Sequence, residues 1–182
     1  VVPAGHGGTA NTVSGTDAFV GGGASNTASG DYATVGGGYT NTASDFRSTV
    51  GGGAGNEASG EETTVGGGFS NTASGPFSAV GGGESNTAGP FATVAGGTLN
   101  DERADYATIS GGGPSDPVSN PTTTNNLVTD DYGAIGGGGG NQAGDDDADT
   151  TDAAYATVSG GRNNMASGNR STVSGGDTNT AS

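Results

Sequence analysis

Small apolar residues recur along this chain at a fixed interval, and most of what lies between them is glycine, threonine, serine or asparagine. A valine or isoleucine precedes a run of small residues at Val20, Val35, Val50, Val65, Val80, Val94, Ile109, Ile135, Val158 and Val173. The interval is 15 residues. It shrinks to 14 between Val80 and Val94 and grows to 26 after Ile109 and 23 after Ile135. Counted from that valine as position 1, the consensus is V-[GS]-G-G-x-x-N-T-A-S-G-x-[YF]-[AS]-T. Residues 1–19 hold a degenerate first copy, so 1–182 reads as a single repeat array. The last copy stops ten residues into its period, and the chain begins "VVPAGHGG" without a methionine. A processed chain whose parent continues beyond Ser182 is expected.

Fifteen residues are too few for a helical pair, and glycine and β-branched residues oppose helix. The length suits one coil of a narrow parallel β-solenoid, an all-β fold with two short strands per coil. One strand is "Y-A-T-V-G" and the other "N-T-A-S", with turns at the x-x and G-x positions. Alternation sets the faces. The valine and the small residue two places before it point inward, as does the alanine of N-T-A-S. The aromatic at position 13 and the threonines at positions 8 and 15 point outward.

Stacked coils put like above like at roughly 4.8 Å, so about eleven coils make a rod of roughly 50 Å. Its spine is Val20, Val35, Val50, Val65, Val80 and their successors, faced by Ala28, Ala43, Ala58, Ala73, Ala88, Ala143, Ala166 and Ala181. Asparagine recurs at position 7: Asn11, Asn26, Asn41, Asn56, Asn71, Asn86, Asn100, Asn141, Asn164 and Asn179. Alone, each is a turn residue. As a column they predict a ladder of amides bonding coil to coil and fixing register. Phe19, Tyr32, Phe77, Phe91, Tyr106, Tyr132 and Tyr155 form a broken aromatic column. It is expected to pack within the rod or against a neighbouring chain, with sugar stacking as the alternative.

A valine–alanine spine buries little area per coil, and at about 25 cal/mol per Å² it barely offsets backbone entropy. Three rods around an axis would bury more, and glycines beside the valine would let backbones approach. A homotrimer is therefore expected.

Composition narrows the partners. The 182 residues include 41 glycines, 19 acidic residues and four arginines, with no lysine, for a net charge of −15. Such a chain repels nucleic acid and anionic membranes. It also suits very high salt, where the Debye length falls to ~3 Å at 1 M and self-repulsion is screened. A halophilic source is the sharper reading; a solvated acidic face is the plain one. No cysteine is present, so disulfides and thiolate metal sites are excluded. No apolar run is long enough to span a membrane as a helix.

Catalytic signatures fail in turn. His6 is the only histidine, and the serines and threonines have no base to activate them. A Walker loop needs a lysine, which the chain lacks. No enzymatic activity is expected.

The repeats "NTASGDYATVGGG" (26–38) and "NTASGPFSAVGGG" (71–83) resemble the head repeats of YadA-like trimeric autotransporter adhesins, and similar arrays in viral tail fibres. The resemblance covers nearly the whole chain, but its motifs are low in complexity. It implies a left-handed β-roll, a trimer, and a fibre that attaches to a cell surface. The usual second aliphatic of the family's strand is Thr or Gly here, so the packing at a trimer axis is expected to differ from the family's. Together with the acidic composition, it suggests a virion fibre or extracellular appendage from a salt-loving archaeal system, binding a cell-surface glycan or glycoprotein.

Two coils break the pattern, with insertions over 114–131 and 142–153. Insertions on one face of a solenoid often bind partners. Pro117, Asn120, Pro121, Asn125, Asn126, Asp130, Asp131, Asp146 and Asp152 are the receptor-contact candidates. Asp145, Asp147 and Asp149 alternate as in a calcium loop, which makes Ca²⁺, Mg²⁺ or Na⁺ a candidate ligand, although the EF-hand's glycine and terminal glutamate do not follow. The plain reading of this loop is a solvated acidic segment.

Other classes stay open. Rows of threonine at positions 8 and 15 would suit an ice-binding solenoid, and a purely structural filament would need no ligand. A calcium-driven roll would require aspartates in phase with the glycines. An enzymatic tailspike would require a wider coil.

Overall fold

The computed structural model describes residues 9–182; His6 and the start of the degenerate first copy lie outside them. The chain winds into a parallel β-solenoid of about eleven coils. Each coil contributes one two-residue strand to each of two all-parallel sheets. A ten-stranded sheet runs from Phe19–Val20 to Thr172–Val173, and an eleven-stranded sheet from Thr12–Val13 to Thr180–Ala181. They are called here the valine sheet and the alanine sheet. Both strands are shorter than the sequence predicts, because only Thr-Val and Thr-Ala keep extended pairing. A third column of single bridges, Ala24–Tyr39–Ala54–Phe69–Glu84–Thr98, runs along position 5.

The inward positions are those that the alternation assigns. Val35, Val50, Val65, Ala33, Ala43 and Ala58 are fully buried, whereas Tyr32 is exposed. Phe19 corrects the expected aromatic column. It pairs with Thr34 in the valine sheet, so it belongs to the outward threonine row and not to the row of Tyr32.

Besides the glycines, two positions recur at left-handed corners. Position 6 adopts positive φ at Ser25, Thr40, Ser70, Ser85 and Leu99, and position 13 at Tyr32, Arg47, Glu62, Phe77, Phe91 and their successors. At these corners the peptide turns over. Elsewhere the backbone-to-backbone bonds between coils run from N–H groups that donate forward, as Thr34 N does to Ser48 O at 2.9 Å; the N–H groups of Thr40 and Arg47 donate back, to Ala24 O and Asp31 O.

The glycines beside the spine serve stacking within one chain. A Cβ on Gly36 would stand 2.2 Å from the Gly51 carbonyl oxygen. One on Gly38, at φ +96, would stand 2.1 Å from the Gly53 carbonyl oxygen. Position 4 is glycine in all ten coils that start at a spine valine or isoleucine, as the next coil's carbonyl requires, whereas position 2 also takes Ala95, Ser110, Ser159 and Ser174. The recurrence at position 4 needs no second rod to explain it.

The asparagine column forms the expected ladder. Asn41 donates its amide to Asn26 Oδ1 (3.2 Å), Gly37 O (2.9 Å) and Gly53 O (2.8 Å), and its own Oδ1 accepts from Asn56 N (3.0 Å). Each buried rung thus uses both its donor and its acceptor ends. Asn126 is a rung that the sequence reading placed in a loop. It donates to Asn100 Oδ1 at 3.0 Å and accepts from Asn141 N at 3.0 Å.

Candidate functional site

Asn126 shortens the first insertion. Leu127–Val128 is a strand of the alanine sheet between Asp101–Glu102 and Gln142–Ala143, so the inserted residues end near 124 rather than at 131. They leave the rod at the corner that precedes the alanine-sheet strand. The second insertion leaves at the corner that follows it, after Gln142–Ala143. The two loops flank the outer face of one sheet.

The first loop is held by its own polar groups. Ser115 N donates to Thr124 O (2.7 Å), Asp116 N to Thr124 Oγ1 (3.0 Å) and Ser119 N to Asp116 Oδ1 (3.0 Å). The Ser119 N–H bond holds the Asp116 carboxyl below the usual carboxylate range. Pro117 and Asn120 are exposed, and Pro121 and Asn125 are half-buried. Val118 projects at 90% exposure.

The second loop is clamped by residues of the preceding coil. Asp130 Oδ2 accepts from Asp145 N (3.1 Å) and from the Thr129 hydroxyl (3.0 Å), while its Oδ1 accepts from Ala153 N (3.2 Å). Asp131 N donates to Thr150 O at 2.7 Å. Asp130 and Asn126 are fully buried, which corrects their place among the surface contacts, and Asp131 is half-buried. Asp146 and Asp152 remain exposed.

Asp145, Asp147 and Asp149 do not converge. Asp147 N donates to Asp145 Oδ1, Asp149 N to Asp147 Oδ1 and Thr151 N to Asp149 Oδ1, a succession of local turns. The carboxylates that gather are Asp130, Asp145 and Asp152, with one oxygen from each within 4.8 Å of the others. The Asp152 carboxyl is pushed up by partial desolvation and then by its acidic neighbours.

A stack of rings runs along position 13. Phe77, Phe91, Tyr106, Tyr132 and Tyr155 stand with centroids 5.5, 4.7, 5.1 and 4.7 Å apart and planes within 16°. The Arg170 guanidinium carbon lies 5.8 Å from the Tyr155 centroid. Neighbours cover the faces of the inner rings, so only their edges meet solvent. That geometry answers the sugar-stacking expectation for Phe91, Tyr106 and Tyr132, because a sugar needs a ring face.

No protein-family model matches the chain, and no curated protein does.

The coil between the short step and the first insertion departs furthest from consensus. Its N-T-A-S is Asn100-Asp101-Glu102-Arg103. Asp101 and Arg103 point outward and pair, Nη2 to Oδ2 at 2.6 Å. Arg103 Nη1 also lies 3.6 Å from Asp146 Oδ1 in the second loop. Glu102 points inward from an alanine position. Its carboxylate accepts from Gly89 N (2.9 Å) and Ala104 N (2.7 Å), in the coil that is one residue short and in its own. Burial pushes the Glu102 carboxyl up to about 8, against the two N–H bonds that favour its charged form.

A half-open pocket of about 250 Å³ lies between this stretch and the first loop. Thr87, Leu99, Asp101, Arg103, Thr122 and Asn125 are among its lining residues. Sequence reasoning named Asn125 but missed Asp101 and Arg103. Their signal was present: no other coil carries charges at all three places after its asparagine.

Proposed function

We propose that the chain is a segment of a surface fibre, on a virion or a cell, that holds a recognition patch away from its base. The supporting observation is the division of the rod. Ordinary coils satisfy their backbone through coil-to-coil bonds and the asparagine ladder, and their charges are dispersed over the surface, as in the exposed Arg47–Glu62 and Arg162–Asp177 pairs. Both insertions and the coil charged at all three places after its asparagine lie in adjacent coils, over Asp101–Arg103 and the two loops. A left-handed coil and three-rod packing are carried over from the resemblance to adhesin heads, and three copies would multiply a weak contact into avidity. The density of carboxylates without lysine supports a high-salt setting. The patch attaches the fibre to a cell-surface glycan or glycoprotein, with no catalytic step.

Two measurements test this. Light scattering in multimolar salt is expected to give about three times the chain mass of 17.0 kDa. Fluorescently labelled protein is expected to decorate cells of the salt-loving host, and to lose that binding when residues 114–124 are replaced by a two-glycine link. A monomer would remove the trimer. Undiminished decoration by the loop-deleted rod would remove the recognition patch.

A further inference from the structure

The repeat provides its own reference, because each residue can be compared with those stacked above and below it. Four departures from the pattern meet in one place. Asp101 and Arg103 replace the outward threonine and serine of the alanine-sheet strand. Leu99 occupies a left-handed corner, at φ 56, where the coils stacked below it carry serine, threonine or glycine. Leucine puts an apolar side chain at a corner that is otherwise small or polar in those coils. The first loop brings Thr122 and Asn125 to the pocket beside the strand. The second loop reaches the same arginine through Asp146.

We infer that this pocket binds one neutral sugar ring. The donor and acceptor set selects that class. Asp101 gives Oδ2 to both Arg103 Nε (2.8 Å) and Nη2 (2.6 Å), which leaves Oδ1 as an acceptor. The arginine fork keeps further N–H donors, Thr87 and Thr122 offer hydroxyls that donate and accept, and Asn125 offers an amide that does both. Leu99 supplies an apolar edge. Mixed donors and acceptors around one apolar contact match a ring carrying several hydroxyls and C–H groups. A volume of about 250 Å³ falls below the range of drug-sized sites and suits a single small ring. An anionic sugar is disfavoured, because Asp101 and Asp146 already neutralise the arginine and the chain carries −15.

The inference deepens the attachment reading and rests on it for the source of the ligand. The test uses the whole protein in multimolar salt, titrated with methyl glycosides of neutral hexoses and with glucuronate, and read by saturation-transfer NMR. D101T and R103S restore the consensus residues, so each is expected to keep the melting temperature. At least one methyl hexoside is expected to bind, glucuronate at least tenfold more weakly, and each variant at least tenfold more weakly than wild type. T122A, on the loop side, serves if a strand variant melts early, with a loss of at least threefold expected. Absence of any hexoside response, glucuronate binding as tightly, or undiminished binding by the variants overturns the pocket. Cell decoration is scored in parallel. Decoration with no hexoside response overturns the pocket and leaves the fibre standing; hexoside binding without decoration does the reverse.

Discussion

Asn126 donates its side-chain amide to Asn100 Oδ1 at 3.0 Å, although 26 residues separate the two in the chain. The ladder therefore crosses the first insertion without losing a rung. It crosses the second as well, from Asn141 to Asn164. The loops hang from a column whose spacing they do not alter, so the residues that hold the rod and those that form the loops are different sets.

That separation predicts a contrast between neighbours. Asn126→Ala removes the partner of Gly111 O, Gly138 O, Asn100 Oδ1 and Asn141 N, all at or within the buried ladder. A loss of roughly 3 kcal/mol is expected, from several groups that each cost about 1–3 kcal/mol when stranded, less what they recover from water or one another. Asn125→Ala, one residue earlier at the rim, is expected to change stability by less than about 0.5 kcal/mol. Urea titration of both variants decides. Equal losses would mean that the ladder carries no special share.

Glu102 predicts a pH effect with a definite sign. Its carboxyl titrates near its ordinary value of 4.5 when unfolded and at about 8 when folded. The folded chain holds the proton more tightly, so the stability contributed by the protonated group is full below about 4.5. It is lost as pH rises to about 8. At about 1.4 kcal/mol per pKa unit the span is on the order of 5 kcal/mol. Glu102→Gln keeps an acceptor and cannot ionise. The stability of wild type relative to this variant should fall across that window and stay flat outside it. A difference that stays constant from pH 4 to 9 would show the carboxyl to be solvated.

The left-handed corner at position 13 predicts opposite outcomes for two glycine substitutions. Glu62 (φ 54) pays the left-handed cost with only an exposed pairing to Arg47 in return. Glu62→Gly should stabilise by about 1 kcal/mol, since glycine adopts this conformation freely. Tyr132 (φ 60) stacks on both Tyr106 and Tyr155. Tyr132→Gly loses two contacts of about 0.5–1.5 kcal/mol each and should be neutral or destabilising. Thermal melts would overturn the stacking argument if both variants gained alike.

Chelation is expected to leave the rod's melting unchanged. Backbone bonds and asparagine amides satisfy the coils, and the aspartates do not recur in phase with the glycines, as a calcium-driven roll would require. Melting in EDTA against millimolar calcium checks this. A fall of several degrees in chelator would mean that the gathered carboxylates of Asp130, Asp145 and Asp152 hold an ion that matters to the rod.

The sequence by itself determined the coil. A period of 15 with alternating inward Val and Ala dictates a parallel solenoid, because stacked coils must place identical residues in contact and only one face of each two-residue strand can be dry. The asparagine ladder was legible for the same reason, since a recurrence at constant spacing is a column. Legibility failed where counting from one side lost phase. Asn126 is invisible counting forward from Ile109, yet it lies nine residues before Ile135, as Asn26 lies before Val35.

What the departures do follows from how the coils and loops stack in space. Stacking turned Asp130 from a surface acid into a buried clamp on Asp145 N and Ala153 N. It placed the carboxylates of Asp130, Asp145 and Asp152 together in place of the alternating three, and it showed that the next coil's carbonyl, not a second rod, enforces the glycine at position 4. It also brought Thr122 and Asn125 of the first loop to one pocket with Asp101 and Arg103. These are contacts between residues with no common spacing, fixed by where each loop leaves the rod. A one-dimensional pattern carries no record of that geometry.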